Sequence, residues 1–371
     1  MGLIKEVKYS YNDISIVPSI VSNIEHRKEC DPFINNKLPL FTAPMSSVVN
    51  VSNFKLFEEN HINAILPRTE PIDARIHYSS HGKWAAFGLN EFYNLFIKED
   101  VVSDNLKVLI DVANGHMNQL LAMVQLFKEK YKNTKNEIMV GNIANPLTYK
   151  KMCECGVDYV RCGIGGGEGC ITSSNLGVHY PMASLIDEIS QIKKQFISEK
   201  KYDKITKVIA DGGIRNYSDV IKALALGADY VMIGGLFTRM VESAADTFVY
   251  TNDKLKNYFT NHYITETEKG WAVVDKNDSN GWAVIYPKLY KSFFGMASKK
   301  AQNLMHGQKI RTSEGIEKIV EVKYTLSQWV DNFIDYLCSA MSYTNSRTLS
   351  EFITNTDTVV ISNNTYLSVN K

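Results

Sequence analysis

Residues 156–173 read Gly-Val-Asp-Tyr-Val-Arg-Cys-Gly-Ile-Gly-Gly-Gly-Glu-Gly-Cys-Ile-Thr-Ser. The first seven form a β-branched and aromatic run bounded by glycine, which predicts a strand. Five glycines in the next seven positions let the backbone turn sharply and approach a ligand or ion closely. Cys170 ends that loop, just past the carboxyl end of a strand, where open α/β sheets and barrels keep their chemistry. It is therefore a candidate covalent nucleophile, with Thr172 near enough to share its site.

Working outward, short apolar runs recur on both sides of this stretch. They lie at 38–43, 64–66, 84–88, 107–112, 137–141, 158–161, 207–210 and 229–233, eight in all. Amphipathic segments separate several of them, for example 116–131 and 217–226. Strands alternating with helices predict parallel βαβ units, and eight within this span predict an α/β fold of the (β/α)8 barrel type. A six-stranded doubly wound sheet is the alternative, weakened because no Gly-x-Gly-x-x-Gly follows the first strand.

Glycine pairs follow the seventh and eighth runs, Gly212-Gly213 after Asp211, and Gly234-Gly235. Loops at those barrel positions commonly hold a phosphate on backbone amides, which predicts a phosphate on Gly213, Gly234 and Gly235. Asp211 suits hydrogen bonding to ribose hydroxyls and serves equally well as a turn or capping residue. From 246 to 290 the pattern lapses into turn signals, and the apolar fragments around Trp271 and Trp282 read as a hairpin insertion. A flap over the barrel mouth is expected at about 293–320, mobile because no long periodic helix crosses it. A helical period returns over 327–341.

The 371 residues are 44% hydrophobic and 22% charged with a net charge of +1, which is globular and leaves no basic footprint for nucleic acid. No run of about 18 apolar residues offers a membrane span. Charges at the N-terminus argue against a signal peptide, and six unpatterned cysteines argue for a reducing cytoplasm. Cys30, Cys153, Cys155, Cys162 and Cys338 read as small buried hydrophobes. Cys153-Glu-Cys155 has the spacing of neither a zinc knuckle nor a thioredoxin motif.

Ordered motifs over roughly 11–355 resemble the inosine monophosphate dehydrogenase and guanosine monophosphate reductase family. They are Ala-Pro-Met at 43–45, Asp-Val-Ala-Asn-Gly-His at 111–116, Gly-Asn-Ile at 141–143, the Cys170 loop, Asp-Gly-Gly at 211–213, Gly234-Gly235, Gly-Met-Ala-Ser at 295–298 and Ser-Glu-Gly at 313–315. The connection from the second strand to the third is too short for the regulatory insert that many of the dehydrogenases carry. The 111–115 motif, Gly-Val-His-Tyr-Pro at 177–181, and a flap of only 19 positions from Gly295 to Glu314 with no Arg-Tyr pair resemble the reductase branch. Glu-Gly-Ile-Glu at 314–317 resembles the dehydrogenase spelling. Ser46 replaces a usual aspartate and Ser173 a reductase arginine, and the 20–21 region keeps no polar match to the reductases.

The resemblance implies one catalytic domain over 1–371, a cytoplasmic homotetramer, and NADPH-dependent conversion of GMP to IMP and ammonia through a cysteine thioimidate. NADH is the alternative cofactor. The alternative reactions are IMP dehydrogenation with NAD and reduction of a deoxy or modified purine nucleotide. Implied catalytic residues are Cys170, Thr172 and Glu314. Implied nucleotide contacts are Asp211, Gly212, Gly213, Gly234, Gly235, Gly295, Met296, Ala297, Ser298, Arg311, Ser313 and Gly315. The nicotinamide would meet Asp111, Val112, Ala113, Met296, Arg311, Ser339 and Ser342, the last two from a neighbouring subunit. A potassium ion would lie on the carbonyls of Gly165, Gly167 and Cys170.

Overall fold

The computed structural model describes residues 5–99, 101, 103–251, 254–258, 262–275, 283–306, 312–313 and 315–369. Arg311, Glu314 and Trp282 lie outside the described residues.

Eight parallel strands form one sheet. In chain order they are β1 (Leu40–Thr42), β2 (Ile65–Leu66), β3 (Trp84–Phe87), β4 (Lys107–Asp111), β5 (Glu137–Ile143), β6 (Tyr159–Cys162), β7 (Lys207–Asp211) and β8 (Tyr230–Ile233). From β2 to β8 each strand pairs with the next in sequence, β8 returns to β1, and a parallel bridge between Phe41 and Asn63 draws β1 toward β2, closing a (β/α)8 barrel. Every strand overlaps one of the eight apolar runs. Helices Ile72–Ser80, Asn118–Lys130, Pro146–Glu154, Met182–Ser198 and Tyr217–Ala225 cover the outside, and Leu326–Tyr343 completes the ring after a long excursion. Only the helix Ile72–Ser80 lies between β2 and β3.

The period-2 alternation of strands divides the core in two. Val108, Ile110, Val160, Cys162, Val208 and Ala210 face outward to the helices. Phe41, Ile65, Trp84, Leu109, Met139, Ile209 and Met232 fill the interior. The same alternation sends Asp111, Arg161 and Asp211 inward at the carboxyl ends of their strands.

At the opposite end, two aspartates pin the strand register. Asp158, just before β6, accepts the Ile138 amide of β5 at 2.8 Å and pairs with Lys128 and Lys204. Asp229, just before β8, accepts the Val208 amide of β7 at 2.8 Å and pairs with Lys193 at 2.6 Å.

Between β8 and the last barrel helix the chain forms two small antiparallel sheets. Trp271, in the strand Gly270–Asp275, packs with Val249, Leu289 and Val322 into a core of their own. The flap region carries a strand, Tyr290–Phe294, a helix, Lys299–His306, and a second strand, Glu317–Glu321, paired with the first. The sequence pattern missed this helix because it is only eight residues long. Among the described residues no helix is long and apolar enough to cross a membrane.

Candidate active site

The carboxyl ends of the strands surround a cavity of about 250 Å³. Cys170, Thr172, Asp211, Gly212, Gly213, Gly234 and Gly235 line it from the barrel side, and Gly295, Met296 and Ala297 from the flap. Asp111 and Ala113 border the same space, with Val112 adjoining, and so do Gly165 and Gly167. Thus most of the residues singled out from sequence, spread from 111 to 297, converge on one site.

Cys170 is partly exposed, whereas the other five cysteines are buried. Its Sγ donates to the Thr172 hydroxyl at 3.1 Å, and its amide donates to the Gly167 carbonyl at 3.0 Å, closing the tight turn the glycines permit. Thr172 starts the short helix Thr172–Leu176. The flap is hydrogen-bonded to this loop: Gly315 bridges Cys170 in antiparallel fashion, and the Ile316 amide donates to Gly169 at 3.0 Å. A Cβ on Gly295 would stand 2.5 Å from the Gly169 carbonyl oxygen, so the two loops touch only because glycine is there.

Three residues bind this site together although the sequence reading gave none of them a role, Asn142 entering it only within the Gly-Asn-Ile motif. Arg161 donates to Asp111 at 2.6 Å and to Asp211 at 2.8 Å and 3.1 Å. Asn142 donates to Asp211 and to the Gly163 carbonyl, each at 2.8 Å. Burial opposes the charge of Arg161, and the combined pull of Asp211 and Asp111 overrides it, raising its pKa above the ordinary value. One signal could have found it: a lone cation inside an apolar strand has to be paired. Room for its stem comes from Gly141, where a Cβ would stand 2.4 Å from that of Arg161. Glu168, the other residue missed, pairs with Arg239 and Lys318 and is the single acid among the loop glycines.

His116 buttresses the loop after β4. Its Nε2 accepts the Ala144 amide at 3.1 Å, which leaves Nδ1 to donate to the Thr148 hydroxyl at 2.9 Å, so the ring is neutral. Although the residue is exposed, partial desolvation of its ring lowers its pKa below the ordinary value.

Some anticipated residues sit apart from the cavity or are already engaged. The Gly213 amide donates to the Gly166 carbonyl at 2.8 Å, tying two site loops together. Ser298 is buried, its Oγ accepting the Ala301 amide at 3.2 Å at the start of the helix Lys299–His306. The Ser313 hydroxyl donates to the Gly315 carbonyl at 2.7 Å. Ser339 and Ser342 lie on the helix Leu326–Tyr343, where the Ser342 carbonyl accepts the Ser22 hydroxyl, and neither reaches the cavity within one chain.

The loop also offers oxygen donors. The Gly165 carbonyl accepts the Ser173 hydroxyl and the Gly167 carbonyl accepts the Cys170 amide, leaving each a second lone pair. Neutral carbonyl oxygens of this kind fit a monovalent cation.

Comparison with known proteins agrees with this geometry. A family described as "IMP dehydrogenase / GMP reductase domain" matches residues 98–280. A GMP reductase of Lysinibacillus sphaericus is 30% identical over 279 residues, covering 71% of this chain and 80% of its own. A GMP reductase of Clostridium acetobutylicum is 28% identical over 97% of this chain and 98% of its own. An inosine-5′-monophosphate dehydrogenase of Chlorobaculum tepidum is 32% identical over 67% of this chain but only 44% of its own. With this identity over four-fifths of a GMP reductase, and a barrel that gathers the family motifs at one mouth, the chain belongs to the IMP dehydrogenase / GMP reductase family of oxidoreductases.

Proposed function

We propose that the protein is a GMP reductase, converting GMP to IMP and ammonia at the expense of NADPH, with NADH as the alternative. The observation that carries this reading is the Cys170 thiol, at the mouth of the barrel cavity and 3.1 Å from the Thr172 hydroxyl. The purine C2 of GMP bears an amino group. Attack of the Cys170 thiolate on C2 gives a tetrahedral adduct, and ammonia leaves once its nitrogen is protonated, which produces a thioimidate. Thr172, together with Glu314 by family resemblance, relays that proton. The nicotinamide dinucleotide that the family implies supplies, when bound, the hydride that reduces C2 and releases the thiolate.

The flap, joined to the Cys170 loop through Gly315 and Ile316, keeps water from the thioimidate, whose hydrolysis would give XMP instead. Asp211, held by Arg161 and Asn142, is proposed to meet a ribose, and the Gly234-Gly235 turn to receive the 5′-phosphate. The nicotinamide is proposed to lie against Asp111, Val112, Ala113 and Met296, with Arg311 on its far side and Ser339 and Ser342 supplied by another subunit. That last assignment requires an oligomer, proposed here as a homotetramer in the cytoplasm. A potassium ion on the carbonyls of Gly165, Gly167 and Cys170 would hold the turn that carries the nucleophile.

The assay is direct. GMP-dependent loss of NADPH absorbance is expected, and IMP-dependent formation of NADH assigns the dehydrogenase instead. The Glu-Gly-Ile-Glu run at 314–317 and the Chlorobaculum relative favour keeping that second reading in the test. Parallel runs with dGMP decide the sugar.

A further inference from the structure

We infer that Glu168 is an internal anion occupying the phosphate corner of the active site, and that a 5′-phosphate binds by displacing its carboxylate and taking over its two cations. This deepens the GMP reading and rests on it for the identity of the natural ligand. Glu168 Oε1 lies 3.0 Å from the Arg239 guanidinium and also pairs with Lys318. Its Oε2 lies 2.1 Å from where a Cβ on Gly235 would stand, so the carboxylate rests directly on the glycine turn. A phosphate on that turn would occupy the same space with the same sign of charge.

The carboxylate cannot simply be neutralised out of the way. Burial works against its charge, yet Lys318 and Arg239 hold its pKa below the usual carboxylate range, so the occupant is anionic at neutral pH. It has somewhere to go. Glu168 also borders a neighbouring cavity of about 400 Å³ shared with Arg215, Arg239 and Lys323. Lys323 forms no ion pair among the described residues, and Arg215 interacts with Asp219 only at a distance, so a carboxylate swung into that cavity meets two further cations. Displacement then costs less than ejecting a charge from its partners outright. Glu168 keeps Arg239 and Lys318 in place, and the incoming phosphate exchanges one anion for another instead of assembling a pocket.

The test uses the full chain and titration calorimetry with inorganic phosphate, GMP and guanosine on wild type, Glu168→Gln and Glu168→Ala. Both variants are expected to bind phosphate and GMP about tenfold more tightly, because a like charge has been removed from the site, while guanosine affinity stays within about twofold. Phosphate affinity that is unchanged or weaker in the variants overturns the inference, and so does equal tightening for guanosine. A structure of wild-type protein with GMP bound and Glu168 still seated on Gly235 overturns it without any variant. Failure of the GMP assignment looks different. No turnover of GMP, with phosphate still binding more tightly to the variants, removes the substrate and leaves the displacement standing. GMP turnover with phosphate affinity unaltered does the reverse.

Discussion

Arg161→Met tests the electrostatic organisation of the site. The Arg161 side chain is 8% exposed, and the side chains of Asp111 and Asp211 are each 17% exposed. Methionine fills much of the stem's volume and leaves two carboxylates facing each other without a cation. Breaking a buried ion pair from one side costs about 3–5 kcal/mol. Partial exposure of the carboxylates and the Asn142 amide, which stays on Asp211, put the expected loss at the lower end, about 3 kcal/mol. For a chain of this length that is a fall of about 4 °C in Tm. Nucleotide affinity falls too, because Asp211 loses one of the two side chains that fix its orientation. Adding Asp111→Asn and Asp211→Asn to Arg161→Met removes the stranded charges and is expected to restore most of the stability but not the affinity. Thermal and urea unfolding read the first quantity, and calorimetric titration with nucleotide the second. A loss below about 1 kcal/mol, or no recovery on neutralising the aspartates, would refute the argument that Arg161 is held by its charge partners.

Four further outcomes are expected. Cys170→Ser lowers turnover by at least about 10³-fold with nucleotide binding retained, since only the nucleophile is lost; near wild-type rates would exclude the thioimidate route. Gly235→Val forces a side chain into the place of the Glu168 carboxylate and onto the phosphate turn, so KM for nucleotide rises steeply; an unchanged KM puts the phosphate elsewhere. His116 is bound in its neutral form with a depressed pKa. The native state therefore takes up fewer protons than the unfolded chain, and its contribution is complete above pH 6.5 and lost as pH falls through the folded pKa. His116→Gln should flatten that acid limb of the stability profile. Asp229→Ala leaves Lys193 buried without its partner at the far end of the barrel and is expected to cost about 3 kcal/mol while kcat of the folded enzyme holds; a parallel loss of kcat would mean the two ends are coupled.

Local sequence fixed the strands and their loops because both are short-range properties. Eight apolar runs bounded by turn residues became eight barrel strands, and glycine crowding after β6, β7 and β8 marked the loops that converge on the cavity. The helix Lys299–His306 escaped because its eight residues give too few turns for a period to emerge. The flap's contact with the Cys170 loop escaped because it is a pairing of backbone groups, which side-chain pattern does not encode.

What only the tertiary structure decided is which groups are partners. Arg161 stands 50 residues from each of Asp111 and Asp211 along the chain, yet barrel closure and inward alternation bring the three within hydrogen-bonding distance. Glu168 reads as one acid in a glycine loop until the fold sets it between Arg239 and Lys318, on the turn offered to a phosphate. Sequence determines the direction in which each strand points its residues. The strength and meaning of a charge depend on what lies a few ångströms away, and that is set only when distant strands close into one ring.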